Sequence, residues 1–134
     1  MVSAVRREMR LVLSCWAILL GCITLYYGVI SQDSLPDHPI LQGKNDLFLH
    51  AMAFLSLTMP IFVLWPTWRS LMALAIIASA IELVQAFLPS RTPALDDLAA
   101  SCIGIAAGAM IAALICRYLQ HSYEHRTESA LYHD

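Results

Sequence analysis

An all-α membrane protein, a bundle of four transmembrane helices with both termini cytoplasmic, is the fold class this sequence predicts. Three observations lead there. Of the 134 residues 59% are apolar and only 13% charged, against about a quarter charged in soluble domains. The apolar residues gather in four runs, each near the length that crosses a hydrocarbon layer about 30 Å thick. The basic residues collect on one set of connections between those runs. The length suits a single domain, residues 1–134, and a formal net charge of -2 supplies no basic field for nucleic acid, which is excluded as a partner.

The first span covers about Leu11 to Ile30, behind Arg6, Arg7 and Arg10 and with Tyr26 and Tyr27 near its far end. It is long for a signal-peptide core, and Gly28-Val29-Ile30-Ser31 makes a poor cleavage site, so an uncleaved anchor is expected. The second covers about Leu47 to Trp65, the third Ser70 to Leu88 and the fourth Leu98 to Arg117, each bounded by charge, proline or an interfacial aromatic. Trp65, Pro66 and Trp68 mark a tight turn, whereas 32–44 and 89–96 read as loops, and 118–134 as a cytoplasmic tail. With the N-terminus inside, Arg6, Arg7, Arg10, Arg69, Arg117 and Arg126 fall on the inner side and only Lys44 and Arg91 on the outer. Basic residues are retained in the cytoplasm, so this orientation is the expected one, in the cytoplasmic (inner) membrane.

Polar residues inside such spans are the functional candidates, because an ionisable group in hydrocarbon costs about 2.5–3.5 kcal/mol on insertion scales and needs a partner or a wet cavity. Glu82 is the sharpest, with Gln85 three positions on and hence on the same helical face. A hydrogen bond that merely holds the bundle together is the plainer reading. Asp46, His50 and Phe54 share a face at the start of span two, where the acid can orient the imidazole for general base work. Equally, Asp46 can be a dipole-favoured helix start and His50 an interfacial residue. Arg91 offers a planar fork for phosphate or carboxylate, or simply a partner for an acid such as Asp96. Asp97 opens span four, followed at helical spacing by Ser101, Gly104 and Gly108, a small-residue face suited to close helix packing. All these ionisable groups map to the outer ends of their spans, so spans two, three and four in contact would gather them in one outward-facing pocket.

Cys15, Cys22, Cys102 and Cys116 form no zinc or disulfide pattern, and buried free thiols are expected. Pro60 within span two frees the carbonyl of Ser56, which Ser56 or Thr58 could help to satisfy. His121 and His125 have metal-pair spacing but no third ligand nearby, and a solvated tail is the plainer reading. A metal held by His50, Glu82 and Asp97 has no support from spacing within one segment, so neither metal nor cofactor is expected.

The polar positions resemble the pattern of the VanZ-like family of small bacterial membrane proteins. That family shows Asp-Lys-x-x-His-x-x-x-(Phe/Tyr)-x-x-Leu, then Glu-x-x-Gln and Pro-x-Arg, then Asp-x-x-x-Asn-x-x-Gly-x-x-x-Gly. Here these are Asp46 to His50 with Phe54 and Leu57; Glu82 and Gln85 with Pro89 and Arg91; and Asp97 with Ser101, Gly104 and Gly108. Leu47 stands in place of the family's lysine and Ser101 in place of asparagine. If that lysine neutralises a ligand or the acids, its absence weakens anion binding. The resemblance implies an integral membrane protein whose namesake is linked to teicoplanin resistance.

The leading functional reading is a binding protein for an anionic lipid head group, a cell-envelope precursor or a lipophilic antibiotic, linked to glycopeptide resistance or envelope maintenance. Arg91 would hold the anion and Gln85 and Ser101 give neutral hydrogen bonds, with Asp46 and Asp97 beside them. Two alternatives stand. One is a membrane enzyme acting on an envelope or lipid substrate, with Glu82 and His50 as catalytic acid and base. The other is a structural subunit, with homo- or hetero-oligomers forming through the Gly104/Gly108 face.

Overall fold

The computed structural model describes residues 2–29, 46–87 and 95–131, with side chains described for 7–27, 47–87 and 95–123. Four helices make up the described chain: α1 (Val2–Val29), α2 (Asp46–Leu64), α3 (Trp68–Gln85) and α4 (Leu95–Leu131). All four are long and apolar enough to cross a membrane. Helices suit that medium because each satisfies its own backbone hydrogen bonds where no water can.

Two boundaries differ from expectation. Helix α1 begins at Val2 and α4 continues to Leu131, so the segments ahead of the first apolar run and beyond Arg117 are helical extensions of their spans. Neither extension contains glycine or proline to stop the helix. The turn between α2 and α3 is as short as the Trp65-Pro66 pair suggests: Thr67, in extended conformation, caps α3 by accepting from the Ser70 amide at 3.4 Å. Ser70 Oγ in turn lies within reach of the Trp65 and Thr67 carbonyls, at 2.8 and 2.6 Å.

Each of the three inner helices buries one stripe. On α2 it runs through Phe54, Leu57 and Thr58 to Pro60; on α3 through Leu74, Ala78 and Ile81; on α4 through Ala100, Ile105, Ala109 and Ala112. Phe54, Leu57, Leu74, Ala78, Ile81 and Ile105 form the hydrophobic core. The closest approach is between α2 and α4. A Cβ at Gly104 would fall on the Ala51 carbonyl oxygen, and one at Gly108 would lie 2.7 Å from the Leu55 carbonyl oxygen and 2.9 Å from Thr58 Cβ. Only hydrogen at these two positions lets the backbones meet. The Gly104/Gly108 face is therefore occupied by α2 of the same chain.

Helix α1 lies against α2 and α3, more loosely than α2 lies against α4. An apolar crevice of about 280 Å³ opens between α1, α2 and α4, lined by Leu13, Trp16 and Leu20 of α1, Pro60 and Val63 of α2 and Ile115 of α4. Leu13, Trp16 and Leu20 face the late residues Pro60 and Val63 of α2, whereas Gly21 comes nearest the earlier Leu57, so the two helices run antiparallel. Pro60 is buried inside α2. The neighbouring hydroxyls bond back one turn, Ser56 to the Met52 carbonyl at 2.7 Å and Thr58 to the Phe54 carbonyl at 2.6 Å. They serve their own i−4 carbonyls rather than the carbonyl that Pro60 frees.

The cysteines also differ from expectation: Cys15, Cys22 and Cys102 are exposed and Cys116 is half-buried. They sit away from the buried stripes, alongside outward-facing Ile18, Ile76, Ile103 and Met110. An exterior this apolar suits lipid as the surrounding solvent. In hydrocarbon a weakly polar thiol needs no place in the core.

Candidate functional site

The buried stripes of α2, α3 and α4 all change character at the same end of the bundle. One turn before Phe54 the α2 stripe reaches His50; after Ile81 the α3 stripe continues as Glu82 and Gln85; ahead of Ala100 the α4 stripe opens with Asp97, and Ser101 follows it. The helical period that places the core residues inward also turns these polar side chains inward. Because α2 and α4 begin where α3 ends, the three polar stretches meet.

Their burial is deep. Glu82 and Asp97 are 9% exposed, Gln85 2% and Ser101 1%, while the His50 side chain is 10% exposed. His50 Nδ1 stands 3.8 Å from Glu82 Oε1 and 3.3 Å from Ser101 Oγ. The Ser101 hydroxyl donates to the Asp97 carbonyl oxygen at 2.9 Å. A hydroxyl has one proton to give, so in this arrangement Ser101 Oγ is the acceptor toward His50, and the Nδ1–H tautomer completes the contact. Ser101 thereby orients the imidazole. Asp97 lies in the first turn of α4, where the helix dipole favours a carboxylate.

One donor atom from each of His50, Glu82 and Asp97 lies within 4.8 Å of the other two. No spacing within a segment announced this group: three helices each contribute one residue, separated by 32 and 15 positions in the chain. The arrangement can accept and pass protons between imidazole and carboxylate, hold a cation, or receive hydrogen-bond donors.

Of the residues singled out from sequence, His50, Glu82, Asp97 and Ser101 are brought together, and Gln85 is buried one turn beyond Glu82. Asp46 heads α2 one turn before His50, but its side chain lies outside the described residues, as do Arg91, Lys44 and Pro89. Gly104 sits one turn from Ser101, and Ala51, whose carbonyl faces it, directly follows His50. The tight seam and the polar cluster are thus continuous. Thr58 is the remaining buried polar residue among those described; its hydroxyl is bound to the Phe54 carbonyl, and it packs against Gly108.

The basic side chains described lie at the other end. Arg69 opens α3, about 20 Å from Glu82 at 1.5 Å per residue, and Arg117 is about 30 Å beyond Asp97 on α4. Arg7 and Arg10 stand early in antiparallel α1. The guanidinium of Arg69 is 6.0 Å from the centre of the exposed Trp68 ring, an interfacial pairing.

A family model described as VanZ/LLP1 matches residues 10–116. No curated protein and no solved structure matches the chain.

Proposed function

The chain belongs to the VanZ/LLP1 family, and from that premise we propose that it is a multi-pass membrane protein that binds the polar head of a lipid or lipid-linked envelope precursor. The binding group is the cluster of His50, Glu82, Gln85, Asp97 and Ser101. The observation that carries this reading is the burial of an imidazole, two carboxylates, an amide and a hydroxyl at one end of an apolar bundle. Several hydrogen-bonding groups kept together at depth, where each costs free energy, suit a ligand that arrives laterally from the membrane with a polar head and an apolar body. Arg7, Arg10, Arg69 and Arg117 at the opposite end favour a cytoplasmic position for that end, so the cluster faces the outer side. Arg91, in the connection between α3 and α4, is the candidate anion contact, and a lipophilic antibiotic is a further ligand of the same character.

A second reading has one observation in its favour. The 3.8 Å approach of His50 Nδ1 to Glu82 Oε1 is a short move from hydrogen-bonding distance, as an acid–base pair in a membrane enzyme requires. The test for binding is purification from membranes followed by mass spectrometry of co-purifying lipids, repeated with Glu82→Gln and Arg91→Ala. Selective loss of one lipid class from the variants is the expected result. The same lipids in the same amounts from all three proteins would reject the binding roles. Turnover of a retained lipid by the native chain, abolished in Glu82→Gln, would favour the enzyme.

A further inference from the structure

We infer that His50, Glu82 and Asp97 form a binding site for a single divalent cation, with zinc the best match. Their donor atoms lie within 4.8 Å of one another, and His50 Nδ1 and Glu82 Oε1 are 3.8 Å apart. Ligand atoms about 2.1 Å from a tetrahedral zinc stand roughly 3.4 Å from each other. The widest pair of donors therefore has to close by up to about 1.4 Å, through side-chain rotation on a fixed backbone. Imidazole nitrogen with two carboxylate oxygens is a donor set that suits zinc. The exposed or half-buried cysteines contribute none of these donors.

Placement on three helices distinguishes this site from a patch of surface acids. Glu82 and Asp97 are each 9% exposed, and their backbones are set by the core stripes that continue from them. A dication matches the formal charge of two carboxylates, with neutral imidazole as the third donor, and lowers the cost of holding them in an apolar interior. On binding metal His50 Nδ1 gives up the proton it otherwise donates to Ser101, and Ser101 Oγ, 3.3 Å away, is placed to supply a fourth, neutral oxygen. Metal at this position would also give an anionic head group a positive contact. In that respect the inference deepens the proposed function, although the site itself is tested without any lipid.

The experiment uses the full chain, purified in mild detergent on a tag without histidine, stripped with chelator and titrated with Zn²⁺ by calorimetry, with metal content read by elemental mass spectrometry. One equivalent per chain is expected, with affinity at least tenfold weaker in Glu82→Gln and Asp97→Asn, and unchanged in a His121→Gln/His125→Gln control. Zinc should also raise the unfolding temperature of the native chain and leave that of Glu82→Gln unmoved, so a poorly folding variant does not hide the answer. A native chain that takes up no zinc, or variants that bind as the native chain does, would overturn the site. Zinc bound by a chain that retains no lipid leaves the metal site and removes the head-group reading; lipid retained by a chain that takes up no zinc does the reverse.

Discussion

Helices α1 and α4 are both apolar spans, yet they stand in opposite relation to the rest of the molecule. Over an 18-residue apolar stretch of each span, 39% of the residues of α4 are buried inside the protein and only 6% of those of α1. Helix α4 presents Ala100, Ser101, Gly104, Gly108 and Ala112 to its neighbours, and at the two glycines its backbone meets that of α2. Helix α1 presents larger side chains and leaves an apolar crevice; at its own glycine, Gly21, a Cβ would find the nearest atom, Leu57 Cδ1, at 3.9 Å. Where lipid and protein interior are equally apolar, small residues that permit close backbone contact decide which helix is central. The polar cluster lies on the tight pair: Ser101 precedes Gly104 by one turn, and His50 precedes Ala51.

Four substitutions test that contrast. Gly104→Ala carries the largest expected effect, because its methyl group falls on a backbone carbonyl that cannot rotate away. A loss of about 3 kcal/mol, the upper part of the range for overpacking, should appear as a lower unfolding temperature in detergent and as weaker metal and lipid binding. Gly108→Ala should cost less, about 1–2 kcal/mol, since one of its close neighbours is the Thr58 side chain. An equal effect at the two positions would mean that the seam is looser than its geometry implies. Ser101→Ala removes the hydroxyl between His50 Nδ1 and the Asp97 carbonyl, at about 1 kcal/mol in stability. It should weaken zinc binding by about tenfold, the size of effect expected when a polar group beside the metal ligands is lost. Gly21→Ala sits on the loose side. With open space for a methyl and about 0.5–1 kcal/mol of helix propensity to gain, it should leave the unfolding temperature unchanged or slightly raised. A marked fall there would remove the distinction between the two helices.

The legibility of the fold and of the site divides along the same line. The four apolar runs, the Trp65-Pro66 turn and the inward positions of Glu82 and Gln85, three apart on one helix, could all be read in order along the chain. The extended ends of α1 and α4 were less visible, because apolar runs mark where hydrocarbon lies and not where a helix stops. The cysteines were misplaced for a related reason: burial statistics drawn from water-soluble interiors do not carry over to a protein whose outside is also apolar. The Gly104/Gly108 face was recognisable as a close-packing surface, but the sequence contains no sign of which helix would fill it.

What the sequence determined by itself is the number of spans and their approximate limits, since hydrocarbon thickness sets their length and each helix closes its hydrogen bonds within its own segment. Only the tertiary structure decided that α2 occupies the glycine face of α4, and that His50, Glu82 and Asp97, far apart in the chain, share a space less than 5 Å wide. The physical reason is that hydropathy does not distinguish the inward face of a helix from the outward one when lipid surrounds it. The choice rests on steric fit between backbones, which appears only when the helices are assembled.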